Sequence, residues 1–214
     1  MDHSAASARV FDRYAARYRD KYLELGLYDP GYAQFCAALP EGAQVLDAAC
    51  GPGNVARYLI GRRTDLRVLG IDLAPAMIAL ARAAVPGAEF RVHDARALAA
   101  LDRRFDGIAC AFGLPYFTPA EVAGFIASAR ACLNPGGVLY FSLLTRGDAG
   151  AEVQHTEDGE PVYVYYHREA ELAAALARAG FALCWQQHLD SPANAPVATR
   201  DWVVIARREG APRA

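Results

Sequence analysis

An α/β, doubly wound (Rossmann-like) fold is predicted for this chain of 214 residues. It comprises a seven-stranded, mostly parallel sheet with helices on both faces, an N-terminal helical cap and a small hairpin insertion. Three observations predict it. Short apolar strands alternate with helical stretches from Gln44 to Leu144, the rhythm of a parallel sheet covered on both sides. The first of those strands runs into a glycine turn that opens a helix, Asp47-Ala48-Ala49-Cys50-Gly51-Pro52-Gly53. Beyond Leu144 the rhythm changes to a hairpin, one helix and two late strands that complete the sheet.

The elements follow in order. Phe11, Tyr14, Tyr18, Tyr22 and Leu25 recur at steps of three and four, which places them on one face of a helix ended by Gly26 and Asp29-Pro30. Five strands are expected at Gln44 to Ala48, Leu66 to Ile71, Ala88 to His93, Phe105 to Phe112 and Val138 to Leu144. Between them lie helices Val55 to Arg62, Pro75 to Ala84 with proline in the first turn, and Pro119 to Leu133, stopped by Asn134-Pro135-Gly136-Gly137. Glu152 to Thr156 and Val162 to Tyr166 flank Asp158-Gly159, a turn pair suited to a two-residue hairpin loop that sets His155 opposite Val162. A helix from Glu169 to Ala179 ends at Gly180, and strands Ala182 to Leu189 and Asp201 to Ala206 follow. The chain reads as one domain: 1–40 a helical cap, 41–145 the core, 146–209 the hairpin insertion with the last helix and strands, and 210–214 a frayed tail.

Composition narrows the function. With 54% hydrophobic residues the chain can enclose a core without disulfides or metal staples. A net charge of −2 gives no electrostatic case for a nucleic-acid partner. Cys36, Cys50, Cys110, Cys132 and Cys184 are odd in number and include no C-x-x-C pair, so free thiols in a reducing cytosol are expected, with no metal. Met1 to Ala8 lacks the pattern of a signal peptide and no apolar run is long enough to span a bilayer, so a cytoplasmic protein with no membrane partner is expected.

The glycine turn carries the chemistry. Glycines suit a place where a ligand lies against the backbone, and the helix behind the loop favours a negative group. Gly51-x-Gly53-x-x-Ala56 alone fits a dinucleotide fingerprint. Two acids sharpen the reading. Asp72 ends the second strand, where a carboxylate accepts hydrogen bonds from ribose hydroxyls. Asp47 stands ahead of the turn, where its charge would repel a pyrophosphate and attract the ammonium and sulfonium of S-adenosylmethionine. A plainer reading makes Asp47 a turn cap and the glycines mere bends.

From Val45-Leu46-Asp47 through Gly53, with Gly70-Ile71-Asp72-Leu73, His93-Asp94-Ala95, Phe105-Asp106 and Leu133-Asn134-Pro135-Gly136-Gly137, the chain resembles the class I S-adenosylmethionine-dependent methyltransferases, especially small bacterial ones acting on small molecules. The likeness runs from about Val10 to Arg207. It implies that 41–145 binds S-adenosylmethionine. The methionine moiety would lie by Asp47, Gly51 and Gly53, the ribose on Asp72, the adenine near Leu73, Met77, Asp94 and Ala95, and Phe112 beside the methyl group. Similar enzymes use N-terminal segments as lids, which makes Tyr14 and Tyr18 candidate cofactor contacts; the alternative is an extra helix packed on the sheet. Met77 reads more readily as core than as an adenine contact, and Asp94 more readily as a cofactor residue than as a surface acid.

The expected activity is methyl transfer to an oxygen or nitrogen atom of a small molecule, by a monomer or homodimer. Gly113-Leu114-Pro115-Tyr116 lacks the polar residue and first proline found there in nucleic-acid amine methyltransferases, which speaks against base methylation. The candidate catalytic residues are Tyr116, as an acceptor-pocket wall, and His155 and His167, which flank the hairpin. His3, His93 and His188 are weaker candidates. Two alternatives remain. One is an NAD(P)-dependent oxidoreductase, opposed by Asp47 and by the lack of a Tyr-x-x-x-Lys pair, since Lys21 is the sole lysine. The other is a non-catalytic binding or regulatory protein that keeps the fold.

Overall fold

The computed structural model describes residues 2–22, 26–145, 150–190 and 199–210. Helices α1 (His3–Arg13), α2 (Ala15–Tyr22) and α3 (Asp29–Ala38) precede strand β1 (Gln44–Ala48). Then come α4 (Asn54–Arg62), β2 (Arg67–Asp72), α5 (Pro75–Ala84), β3 (Glu89–Val92), β4 (Phe105–Ala111), α6 (Pro119–Cys132) and β5 (Leu133–Thr145). The hairpin β6 (Gly150–His155) and β7 (Pro161–Tyr166), helix α7 (Glu169–Arg178), and strands β8 (Phe181–Asp190) and β9 (Arg200–Arg208) complete the chain, with 3-10 turns at Gly26–Tyr28, Ala95–Leu101 and Leu114–Tyr116.

Seven strands form one sheet in the order β3-β2-β1-β4-β5-β9-β8, parallel except for β9, which runs antiparallel to both of its neighbours. Side-chain alternation divides its core into two layers. Leu46, Leu69, Ile108, Phe141 and Val204 face one side, with Val122, Phe125 and Ala129 of α6 and Leu172 and Leu176 of α7. Val45, Val68, Ala109, Tyr140 and Val203 face the other, with residues of α3, α4 and α5. Runs buried on both faces are what a covered parallel sheet demands. The strand order reverses between β1 and β4, so the loops at their carboxyl ends diverge and leave a crevice there.

Three local expectations are corrected. The first is the long N-terminal helix, which breaks at Tyr14 into α1 and α2. Phe11 and Tyr18 still meet edge-on at 5.8 Å. Tyr14, at the break, turns outward and donates to Asp158 at 2.6 Å. Leu25 lies outside the described residues. The second is Asp29-Pro30, which starts α3 instead of only ending what precedes it, because proline fits the first turn where no amide is needed.

The third is the hairpin register. His155 pairs with Pro161 and Gln154 with Val162, one step from the two-residue expectation. The loop has three residues, Glu157 to Gly159, closed by Thr156 N donating to Glu160 O at 3.0 Å, with Gly159 at φ 81°. One step of slip moves a side chain to the other face. His155 is therefore exposed beside Tyr163 and Tyr165, while Gln154, Val164 and Tyr166 face inward. The Tyr163–Tyr165 face is covered by α1: His3 stacks on Tyr163 at 4.0 Å, and Ser7 Oγ accepts from Tyr163 N at 3.1 Å.

Candidate functional site

The site is built at the carboxyl ends of β1, β2 and β4. Past β1 the chain turns through Ala49 and Gly51, at φ 54° and 53°, and Gly53 at φ 93°. Cys50 N donates to Ile71 O at 2.9 Å and holds the turn to β2. Asp72 clamps it from the side: Oδ2 accepts from Gly51 N and Oδ1 from Ala74 N, both at 2.9 Å. Each of these oxygens keeps a lone pair for a further donor. At the end of β4, Phe112 is also left-handed, at φ 56°. Left-handed non-glycine residues cost of order 1–3 kcal/mol each and persist only where their surroundings over-determine them. Ala49 and Phe112 hold this strain side by side and line the same crevice.

The crevice has two lobes that share Tyr18, Ala49, Gly51, Ala111, Phe112 and Tyr116. The wide lobe, about 750 Å³, is lined also by Asp47, Asn54, Arg57, Tyr22, Tyr28, Tyr32, Tyr58, Gln154, Val164 and Asp201. The narrow lobe, about 100 Å³, is lined by Asp72, Leu73, Met77, Asp94 and Ala95 on one side and by Ser4, Ser7, Ala8 and Phe11 of α1 on the other.

Asp47 is fully buried. Its Oδ2 accepts from Ala56 N at 3.2 Å, and its Oδ1 has no partner. Burial pushes its carboxyl up to about 7; the Ala56 amide opposes the shift, and the nearby Asp72 carboxylate adds to it. A desolvated carboxylate with a spare oxygen is a site that calls for a cation. Burial also raises Asp72, against the amides of Ala74 and Gly51 that favour its charged form.

The sequence-derived site residues divide. Asp47, Gly51, Asp72, Leu73, Met77, Asp94, Ala95, Phe112, Tyr18 and Tyr116 come together around the two lobes. Gly53 stands outside the lining: a Cβ there would meet Ala81 Cβ of α5 at 3.3 Å, so this glycine lets α4 and α5 approach. Asp94 turns its carboxylate to Arg96, which also binds Asp2 at 2.9 Å and Glu121 at 2.6 Å. That cluster ties the start of α1 over the narrow lobe.

Tyr14, a candidate cofactor contact, and the candidate proton acceptors His155 and His167 are placed differently from expectation, whereas Tyr116 stands where a pocket wall is expected. Tyr14 lines neither lobe, and His155 is exposed on the hairpin face turned from the wide lobe. His167 is buried, and its Nε2 lies 3.1 Å from Leu114 O, an anchor between the end of the hairpin and the turn at Leu114–Tyr116. Burial lowers its pKa, against the carbonyls of Leu114 and Phe117. Tyr116 does line both lobes, with Phe11 edge-on at 4.7 Å, but burial holds its hydroxyl protonated far above the ordinary phenol range. It is a wall and not a base.

Sequence reasoning missed Tyr28 and Asp201. Tyr28 Oη donates to Asp201 Oδ2 at 2.6 Å. The available signal was an acid, Asp201, at the head of the all-apolar run Trp202-Val203-Val204-Ile205-Ala206. Among the described residues the cysteines are free, no group of three or more His, Cys, Asp or Glu is placed to hold a metal ion, and no helix is long and apolar enough to cross a membrane.

Residues 45–137 match the model of a methyltransferase domain. The chain is 39% identical over 101 residues to a trans-aconitate 2-methyltransferase of Variovorax paradoxus, covering 47% of this chain and 38% of that protein. It is 32% identical over 158 residues to a ubiquinone biosynthesis O-methyltransferase of Xanthomonas axonopodis pv. citri, covering 67% and 64%. The matches thus span less than two thirds of either relative's length. Among solved structures it superposes on the 1,6-didemethyltoxoflavin-N1-methyltransferase of Burkholderia thailandensis with a TM-score of 0.73 at 24% identity, covering 98% of this chain and 91% of that one.

Proposed function

We propose that the chain is a class I S-adenosylmethionine-dependent methyltransferase that transfers a methyl group from S-adenosylmethionine to an oxygen or nitrogen atom of a small molecule. The observation that carries the reading is Asp47. Its buried, half-satisfied carboxylate adjoins the glycine turn and lines the wide lobe. An ammonium group there would relieve the desolvated charge, whereas a pyrophosphate would raise its cost. The residues present therefore fit the methionine end of the donor and not a dinucleotide.

Asp72, with a lone pair left on each oxygen, suits ribose hydroxyls, and Leu73, Met77 and Ala95 offer an apolar slot to the adenine. Asp94, held by Arg96, shapes that slot more than it contacts the ligand. The donor supplies an electrophilic methyl on a sulfonium. The chain's own part is to bind it, exclude water and aim an acceptor along the line of displacement. The names of the relatives, for trans-aconitate, a ubiquinone precursor pathway and 1,6-didemethyltoxoflavin, all describe small acceptors and support the same class here. Action without nucleic-acid partners, in the cytoplasm and as a monomer or homodimer, belongs to this proposal.

Calorimetric titration with S-adenosylmethionine, S-adenosylhomocysteine and NAD tests it. The first two should bind and NAD should not. Tight NAD binding with no heat from the others would end the reading. Labelled S-adenosylmethionine with fractionated metabolite extract then identifies the acceptor.

A further inference from the structure

One polar device in the wide lobe is left unused by cofactor binding. Tyr28, in the turn before α3, and Asp201, at the head of β9, are brought together from 173 residues apart. Asp201 has no exposed surface, and Tyr28 keeps 9% of its own. The Tyr28 ring meets Phe112 edge-on at 4.7 Å, which sets it next to the strained residue at the end of β4. A phenol has one hydrogen, and here it is committed to Asp201 Oδ2 at 2.6 Å. Toward the lobe the Tyr28 oxygen can therefore only accept.

Building on the methyltransferase reading, we propose that Tyr28 Oη is a catalytic proton acceptor for a small hydroxylated aromatic substrate, with Asp201 the positioning residue behind it, which makes the reaction an O-methylation. The acceptor's hydroxyl proton passes to Tyr28 Oη while the tyrosine's own proton passes to Asp201 Oδ2. The freed oxygen lone pair forms the new bond to the methyl carbon, and the carbon–sulfur bonding pair stays on sulfur as a neutral thioether. Atoms and charge balance: a buried carboxylate and a sulfonium are both neutralised, so a desolvated site favours the products.

The rest of the lobe fits the same substrate. Tyr18, Tyr22, Tyr32, Tyr58 and Tyr116 line it, supplying flat faces for an aromatic body. A carboxylate acceptor at Tyr28 would set an anion against lone pairs with a buried carboxylate behind them. Burial raises Asp201 above its ordinary value, with Tyr28 and Thr199 favouring its charged form and Asp190 opposing it. Burial, then Asp201, then Tyr18 and Tyr140 push Tyr28 far above the phenol range, so it never ionises by itself at neutral pH.

The test uses 4-nitrophenol, which ionises near neutrality and is yellow only as its anion, with 4-nitrobenzoate as the carboxylate control. Each is titrated at neutral pH into the protein saturated with S-adenosylhomocysteine. The phenol should bind in its colourless neutral form, with its ionisation equilibrium displaced about tenfold, one pKa unit upward. Tyr28→Phe should abolish the displacement. Asp201→Asn should reduce or reverse it, because an amide can donate to Tyr28 Oη and turn the tyrosine's hydrogen toward the lobe. No phenol binding, binding as the yellow anion that persists undiminished in Asp201→Asn, tighter binding of 4-nitrobenzoate, or an unchanged displacement in Tyr28→Phe overturns the proposal. Calorimetry of S-adenosylhomocysteine on the same samples separates the two levels: intact binding beside a failed phenol result sinks this proposal alone, while no binding by the wild type sinks the methyltransferase reading.

Discussion

Replacing Asp47 by asparagine should stabilise the free protein at alkaline pH while removing its hold on the methyl donor. Asp47 is fully buried and its carboxyl is raised from an ordinary 3.8 to about 7. In the unfolded chain it ionises from about pH 4 upward, in the folded chain only near 7. The folded state thus binds the extra proton between those values, and stability falls as pH rises from about 4 to 7 and stays reduced above. A difference of about 3 units, at about 1.36 kcal/mol each, sets this cost at about 4 kcal/mol. Asparagine keeps an acceptor for Ala56 N but leaves a buried amide N–H₂ where Oδ1 has no partner, which costs about 1–3 kcal/mol. The net gain at pH 8 is about 1–3 kcal/mol, a rise in Tm on the order of 5 °C for a chain of this size. Near pH 4 the gain should vanish or change sign. Denaturant unfolding at the two pH values measures it, and calorimetry should show donor affinity reduced on the order of 10–100-fold by loss of a charged hydrogen bond. A variant less stable than wild type at pH 8, or one that binds the donor normally, would refute the reasoning.

Two further outcomes follow from the geometry. Gly53→Ala places a Cβ 3.3 Å from Ala81 Cβ at a residue with φ 93°, so it should lose about 1–3 kcal/mol of stability in thermal melts; donor affinity should change less than in Asp47→Asn, and the opposite ranking would make Gly53 a ligand contact. His155→Ala alters an exposed side chain on the hairpin face turned from the wide lobe, so transfer rates with the identified acceptor should match wild type within about twofold; a loss of tenfold or more would return His155 to the mechanism.

What was legible in the sequence was what local pattern and one buried sheet determine. The strands of the parallel core, the glycine turn and the acids Asp47 and Asp72 each stand where apolar runs and glycine spacing put them. The hairpin register was not legible, because Asp158-Gly159 serves a two-residue or a three-residue loop, and the contacts that go with the observed register, α1 on Tyr163 and the burial of Val164 and Tyr166, are long-range. The break at Tyr14 was hidden for a related reason: steps of three and four continue across a kink. The pairing of Tyr28 with Asp201 was invisible because it spans 173 residues; Asp201 alone gave a signal, as an acid heading an apolar run, and Tyr28 belongs to no local motif. His167 looked reactive by its place beside the hairpin, and only its burial against Leu114 O shows it to be an anchor.

The tie between the two ends of the chain has a consequence for synthesis. A nascent chain that has emerged as far as Thr145 holds β1 to β5 in full. It lacks the hairpin and β9 partners of its N-terminal region, since Tyr165 is 162 residues beyond His3 and Asp201 is 173 beyond Tyr28. Long-range contacts of this kind form late, after their loop entropy has been met by other pairings. The parallel strands can therefore pair while α1 is held by its contacts to Arg96, Tyr116 and Ala76, and the wide lobe gains its Gln154, Val164 and Asp201 walls only once the chain has emerged past Asp201.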